Sequence, residues 1–195
     1  ILLEGLNFEP NSPANAIASG VHMSPKDRAN NAIVGDFDIE ANLTLPFTKF
    51  FSNFGFIDKK RPRVDCSDMI DTMGIVCQGG KDSIGTLSGG NQQKVIVGRW
   101  LLKTCKLLIL DEPFQGVDIK ARRDIGTHIR ATTNNRATLV FVSEIDEAVE
   151  IADRIIVLHE KAVVGEHVNK NIDLPELLSQ VSGNSNTLKQ AESLQ

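Results

Sequence analysis

The sequence predicts an α/β fold with a mostly parallel sheet. Three observations carry this. From residue 87 onward, β-rich runs alternate with helical patterns, the order that builds a parallel sheet covered by helices. The run Leu107-Leu108-Ile109-Leu110 is continuously aliphatic, as in a central strand buried on both faces, and closes on Asp111-Glu112-Pro113. A glycine-rich turn, Leu87-Ser88-Gly89-Gly90-Asn91-Gln92-Gln93-Lys94, opens a helix ahead of that strand. With 195 residues and 41% hydrophobic content, the chain can bury the core of one domain.

The elements follow in order. Residues 1–12 read as a short strand and a polar turn punctuated by Pro10 and Pro13. Ser12 and Pro13 open a short helix over 14–19, stopped by Gly20. Residues 21–24 form a strand, and 25–31 a polar loop. Ile39, Leu43, Phe47, Phe50, Phe51 and Phe54 fall near helical spacing, a stripe that belongs to a core or a partner helix. Residues 64–73 read as a helix ended at Gly74. Ser88 caps a helix running to about residue 103. Helices are then expected over 120–133, 146–152 and 172–181, and strands over 107–110, 137–142, 154–158 and 162–166. The polar stretch from 184 to 195 reads as a tail.

Bulk properties exclude several classes. A formal net charge of −4 and a pI near 5.6 do not suit a nucleic-acid sponge. No apolar run approaches the roughly eighteen residues of a membrane span. Residues 1–5 carry no basic region, so no secretory leader is expected, and the missing initial Met predicts a fragment. Cys66, Cys77 and Cys105 show no CxxC pattern and read as reduced, partly buried thiols. The four histidines have no metal-like spacing.

The chemistry concentrates in four places. The adjacent Gly89 and Gly90 let the backbone approach an anion, the following helix offers unpaired N–H groups, and Ser88 adds a hydroxyl. At the carboxyl end of a buried strand, where α/β sheets place ligands, Asp111 is a candidate Mg²⁺ ligand and Glu112 a candidate general base. Gly116 permits a tight turn, and Asp118 either caps the next helix or contacts a partner across a dimer interface. Ser143, at a strand end, either reaches a γ-phosphate or caps a helix.

Together the octet 87–94, the run 107–113, Gly116-Val117-Asp118 and Asp153-Arg154-Ile155 resemble the nucleotide-binding domain of ATP-binding cassette (ABC) transporters. The octet's form, with Gly20-Val21 and Asp27-Arg28, is similar to the second cassette of monosaccharide importers of the ribose, xylose and galactose type. The resemblance implies a P-loop-NTPase-like three-layer fold. One partial nucleotide-binding domain would span 1–183, with a helical subdomain over roughly 36–103. It implies ATP and Mg²⁺ as cofactors, with Ser88, Gly89, Gly90, Gln92, Asp118 and Ser143 contacting nucleotide, Asp111 the metal, and Glu112 as catalytic base. The implied partners are a second cassette meeting it head to tail, transmembrane permease subunits and, indirectly, a periplasmic sugar-binding protein, with no nucleic acid. The implied location is the cytoplasmic face of the inner membrane. The function expected is that of an ATP-hydrolysing subunit, in part, of a sugar importer. The alternative is a degenerate, non-catalytic cassette or interaction module that completes a partner's ATP site. A DNA-repair or translation ABC protein would show coiled-coil heptads or a basic linker, and neither is present.

The departures from the family pattern matter as much. No GxxxxGK[ST] phosphate loop (Walker A) occurs in these 195 residues. The nearest approach, residues 74–82, has Ile75 where a glycine is needed and Asp82 where a hydroxyl is needed. The chain is therefore expected to start after the N-terminal strands and that loop. Lys26 stands where such importers carry an acid and other ABC domains a Gln, Ser143 where most carry the switch His, and Phe114-Gln115 where Thr-Arg is usual.

Overall fold

The computed structural model describes residues 1–53, 56–57, 60–133 and 136–183. The expected tail at 184–195 and Phe54 lie outside them. The chain divides into two compact units, Ile1–Val142 and Ser143–Gln195.

The first unit opens with a minimal antiparallel hairpin, β1 (Leu2–Leu3) and β2 (Leu6–Asn7), in place of one strand and a turn. Helix α1 (Pro13–Ala18) starts as its cap dictates, with Ser12 Oγ accepting from the Asn15 N–H and Pro13 in the first turn. Strand β3 (Val21–Ser24) leads into a short helix, α2 (Arg28–Asn31), within the stretch expected to be loop. Asp27 caps α2, accepting from the Asn30 N–H and from the Asn30 side chain.

Helix α3 (Ile39–Thr44) is capped by Asp38 and gives way to a 3₁₀ turn, Leu45–Phe51. The helical spacing of the Phe stripe does not continue as one α-helix. Pro46 has no N–H to bond the Asn42 carbonyl four residues back, and Phe47 leaves helical geometry at φ −113. Arg99 takes the released carbonyl, donating Nε to Asn42 O at 2.6 Å. Phe47 and Phe51 are buried while Phe50 is exposed, so the stripe splits between core and surface.

The short strands β4 (Ser52–Asn53) and β5 (Phe56–Ile57) pair antiparallel and precede α4 (Lys60–Met73). Gly74, at φ +58, ends α4 in the left-handed conformation that glycine adopts cheaply. Helix α5 (Gly89–Leu101) follows its Ser88 cap. Helices α3, α4 and α5 pack on one another around Ile39, Leu43, Met73, Val95, Ile96 and Val97, all buried.

Strand β6 (Leu107–Asp111), helix α6 (Ile119–Ala131) and strand β7 (Ala137–Phe141) complete the first unit. The sheet is parallel in the order β3-β6-β7, with Val21 opposite Leu107 and Leu107 opposite Ala137. The central place of β6 agrees with its sequence, but its burial alternates. Leu108 and Leu110 are fully buried, whereas Leu107 and Ile109 are only partly covered.

The second unit holds α7 (Ile145–Ile151), the antiparallel pair β8 (Arg154–His159) and β9 (Ala162–Val168), and α8 (Leu174–Val181). Its core is Ile155, Val157 and Leu177, with Ala148, Val149 and Val164 against them. Asn169 donates to both the Val149 and Ala152 carbonyls, tying the end of α7 to the turn after β9. The pair β8–β9 stands as its own sheet, so the parallel character resides in β3-β6-β7.

Candidate functional site

The glycine-rich turn is built around Ser88. Its Oγ accepts from the Asn91 N–H at 3.4 Å and from Asn91 Nδ2 at 3.0 Å. Asn91 Oδ1 in turn accepts from the Val76 N–H at 3.0 Å. The Ser88 side chain is exposed at the start of a thirteen-residue helix, beside first-turn N–H groups that point out of the helix end. This is chemistry suited to an anionic oxygen. Gln92, expected in the same role, donates Nε2 to the Ile84 carbonyl at 3.3 Å.

The two glycines serve packing as well as approach. A Cβ on Gly89 would stand 2.7 Å from Arg28 Nη2 and 3.3 Å from the Gly116 carbonyl oxygen. A Cβ on Gly90 would stand 2.8 Å from the Ala121 methyl. Gly89 thus leaves room for a guanidinium, and Gly90 for the close contact of α5 with α6. Arg28 joins two loops there: its Nη1 donates to the Gln115 carbonyl at 2.8 Å while Nη2 lies along the glycine-rich turn. In the sequence Asp27-Arg28 carries only the family resemblance, and nothing local signals the contact, which spans 87 positions.

Midway along the same helix, Lys94 is buried. Its Nζ donates to the Gly74 carbonyl at 3.0 Å and pairs with Asp124 at 2.7 Å. The hydrogen bond from Lys94 holds the Asp124 carboxyl below the ordinary range. Arg99, also buried, has three acceptors: Asn42 O, Ala32 O at 2.7 Å and Asn42 Oδ1 at 3.1 Å. Burial lowers its pKa to about 10, which leaves it charged at neutral pH. These two cations position α5, and with it the glycine-rich turn.

The carboxylate pair sits at the end of β6. Asp111 completes the strand, and Glu112 turns sharply out of it at φ +47. A left-handed Glu costs about 1 kcal/mol and is uncommon outside turns and functional sites. The Glu112 N–H still bonds the Phe141 carbonyl at 2.9 Å, so β7 holds the turn in place. The Lys26 ammonium lies 3.9 Å from Glu112 Oε1. Asp118 caps α6, with Oδ1 accepting from the Ala121 N–H at 2.9 Å. Ser143 is exposed at the start of the second unit, one residue ahead of Glu144, which stands at the cap position of α7 without a side-chain cap bond of its own.

The first unit therefore brings Ser88, Gly89 and Gly90 beside Arg28 and Gly116, and Glu112 beside Lys26. Among the described residues, no group of three or more His, Cys, Asp or Glu side chains could hold a metal ion. For the magnesium ion expected at Asp111, these residues supply one carboxylate and, at its neighbour Glu112, a cation contact. One of the two carboxylates already faces an ammonium, which has no lone pair to offer.

The ABC transporter family profile matches residues 16–115, from α1 through the carboxylate pair and its turn. The chain belongs to the ABC transporter family. The ribose import ATP-binding protein RbsA of Streptococcus agalactiae serotype Ia is 36% identical over 173 residues, 88% of this chain and 35% of that protein. The arabinose import ATP-binding protein AraG of Pectobacterium atrosepticum is 35% identical over 181 residues, 92% of this chain and 36% of that one. The chain spans about a third of the length of the curated relatives it matches.

Solved cassettes share the ABC fold at low identity. A post-hydrolysis dimer of the ATP-binding cassette MJ0796 bound to ADP and Pi aligns at TM-score 0.67 and 19% identity, covering 84% of this chain and 70% of that one. A nucleotide-free cassette from an ABC transporter aligns at TM-score 0.68 and 16% identity, covering 88% and 68%. The α/β, P-loop-NTPase-like ABC fold expected from the sequence is thus the fold of this chain, and nucleotide binding is the property its family carries. No helix among the described residues is long and apolar enough to cross a membrane.

Proposed function

We propose that this ABC chain is part of the ATP-binding subunit of a monosaccharide importer and contributes a signature half-site to ATP held by an opposing cassette. One observation carries the reading. Ser88 is exposed at the head of α5, with Gly89 half-buried and Gly90 buried behind it, while the 195 residues contain no GxxxxGK[ST] to grip phosphates. The match to ribose and arabinose import proteins supports the sugar class.

In this reading Ser88 and the first-turn N–H groups of α5 meet the γ-phosphate of ATP bound across the interface. Arg28 braces the turn against the loop after β6. Asp118 leads the helix beside that interface, and Ser143 is the side chain that follows β7. Glu112 would orient water in a site whose phosphate grip these residues do not supply. Permease subunits would take up the resulting motion at the cytoplasmic face of the inner membrane, fed by a periplasmic sugar-binding protein. Nucleic acid has no part in it.

The second reading, a non-catalytic cassette that only completes a partner's site, is favoured by the Lys26–Glu112 contact. ATP-dependent complex formation tests the half-site role. The chain is mixed with a full-length ribose-import ATP-binding protein, such as that of S. agalactiae, and followed by light scattering. Complex formation that needs ATP and is lost in Ser88→Arg supports it. A complex indifferent to both refutes it.

A further inference from the structure

We propose that Lys26 is a tethered cation that occupies the electrostatic place of a divalent ion at the carboxyl end of β6 and keeps metal from settling on Asp111 and Glu112. The inference rests on reading these carboxylates as the reactive end of a nucleotide site.

The placement follows from sheet register. Strands β3 and β6 run parallel with Ser24 opposite Leu110, so the chain two residues beyond Ser24 arrives beside the chain two residues beyond Leu110. Those residues are Lys26 and Glu112. The lysine side chain is 53% exposed and the glutamate 14%, so the ammonium reaches in from solvent to a carboxylate the fold has partly enclosed.

An ammonium and a divalent ion compete here for the same oxygen lone pairs. Lys26 supplies three donors and no acceptor, so it opposes a metal by charge and cannot join its ligand set. Arg28, two residues on, places a second cation near the loop after β6 through its bond to the Gln115 carbonyl. The charge of the Asp111–Glu112 pair is met from within the chain, by the segment that follows β3.

The magnitude is modest because Lys26 is half in solvent. Repulsion between a divalent ion and an ammonium about 4–5 Å away, at a water-like dielectric, amounts to roughly tenfold in affinity at low salt and shrinks as salt rises.

The test titrates Mn²⁺ into the 195-residue chain without nucleotide, following free ion by electron paramagnetic resonance. Lys26→Gln and Lys26→Met are each expected to bind Mn²⁺ about tenfold more tightly than the parent chain at low salt. The gap should narrow as salt is added, and Asp111→Asn should remove the gain. Both lysine variants replace a half-exposed side chain, and circular dichroism verifies that they fold. Unchanged Mn²⁺ affinity in both, with Asp111→Asn still weakening binding, overturns the role of Lys26 and leaves the carboxylate reading standing. Binding indifferent to Asp111→Asn overturns both.

Discussion

Replacing Gly90 by alanine should destabilise the first unit, although alanine is the better helix former. The new methyl would lie 2.8 Å from the Ala121 methyl, where carbon atoms pack comfortably at about 3.5–4.0 Å. Neither methyl can rotate away, because both are fixed to helix backbone, so α5 and α6 must separate by most of an ångström. Overpacking of this kind costs about 1–3 kcal/mol. The gain in helix propensity returns at most about 1 kcal/mol. The net loss should be about 1–2 kcal/mol, or roughly 2–8 °C in Tm for a chain of this size.

Gly89→Ala is the internal comparison. Its methyl meets the far end of the flexible Arg28 side chain and, at 3.3 Å, the Gly116 carbonyl oxygen, a milder crowding whose cost should stay within about 1 kcal/mol. Urea unfolding followed by circular dichroism measures both variants, and Gly90→Ala combined with Ala121→Gly closes a double-mutant cycle. A coupling of about 1 kcal/mol or more is expected from residues in direct contact. A Gly90→Ala variant as stable as the parent, or a coupling of zero, would refute the claim that packing against α6 fixes a glycine here.

Three further outcomes are expected. Glu112→Gly should stabilise the fold by about 0.5–1 kcal/mol in the same assay, since it relieves a left-handed glutamate, although it removes the candidate base. Stability should fall on acidification. Burial lowers the pKa of His22, which bonds the Trp100 carbonyl, so its contribution is complete above the ordinary value of about 6.5 and is lost as pH drops through that value and below its depressed one. Asp124, also depressed, extends the loss into the carboxylate range, and His22→Asn should flatten the upper part of a Tm-versus-pH profile. Thiol reagents at neutral pH should modify Cys77 first, read by mass spectrometry. Cys66 is buried, with burial and the Glu40 carboxylate pushing its pKa up to about 12, and Cys105 is buried as well.

What the sequence revealed and what it concealed divide by range. The cap of α5, the centrality of β6 and the stop at Gly74 were legible because each is written in neighbouring residues: a Ser before a helical pattern, an aliphatic run, a glycine at a helix end. The break after Thr44 was concealed by the Phe stripe, whose spacing runs on through Pro46. The proline's effect shows only when Arg99, 57 positions from Asn42, is seen on the freed carbonyl. The departure at Lys26 was visible in the sequence, but its meeting with Glu112 depends on the register of β3 against β6. The double glycine invited an explanation by anion approach alone. Arg28 and Ala121, brought up by long-range packing, add a second reason that no local pattern carries. The strand β9 was found, but its antiparallel pairing with β8, outside the parallel sheet, follows from a short turn that returns the chain on itself.

In the proposed role this chain lends a signature turn to another cassette's ATP, and its 195 residues hold no phosphate grip with which to turn over ATP alone. Phosphate release by the purified 195-residue chain, with ATP and Mg²⁺ and no other cassette present, tests it most directly. Hydrolysis depends almost entirely on positioning and charge around the transferred phosphoryl group, so no turnover above that of a Glu112→Gln control is expected. Sustained Mg²⁺-dependent release that disappears in Glu112→Gln would contradict it.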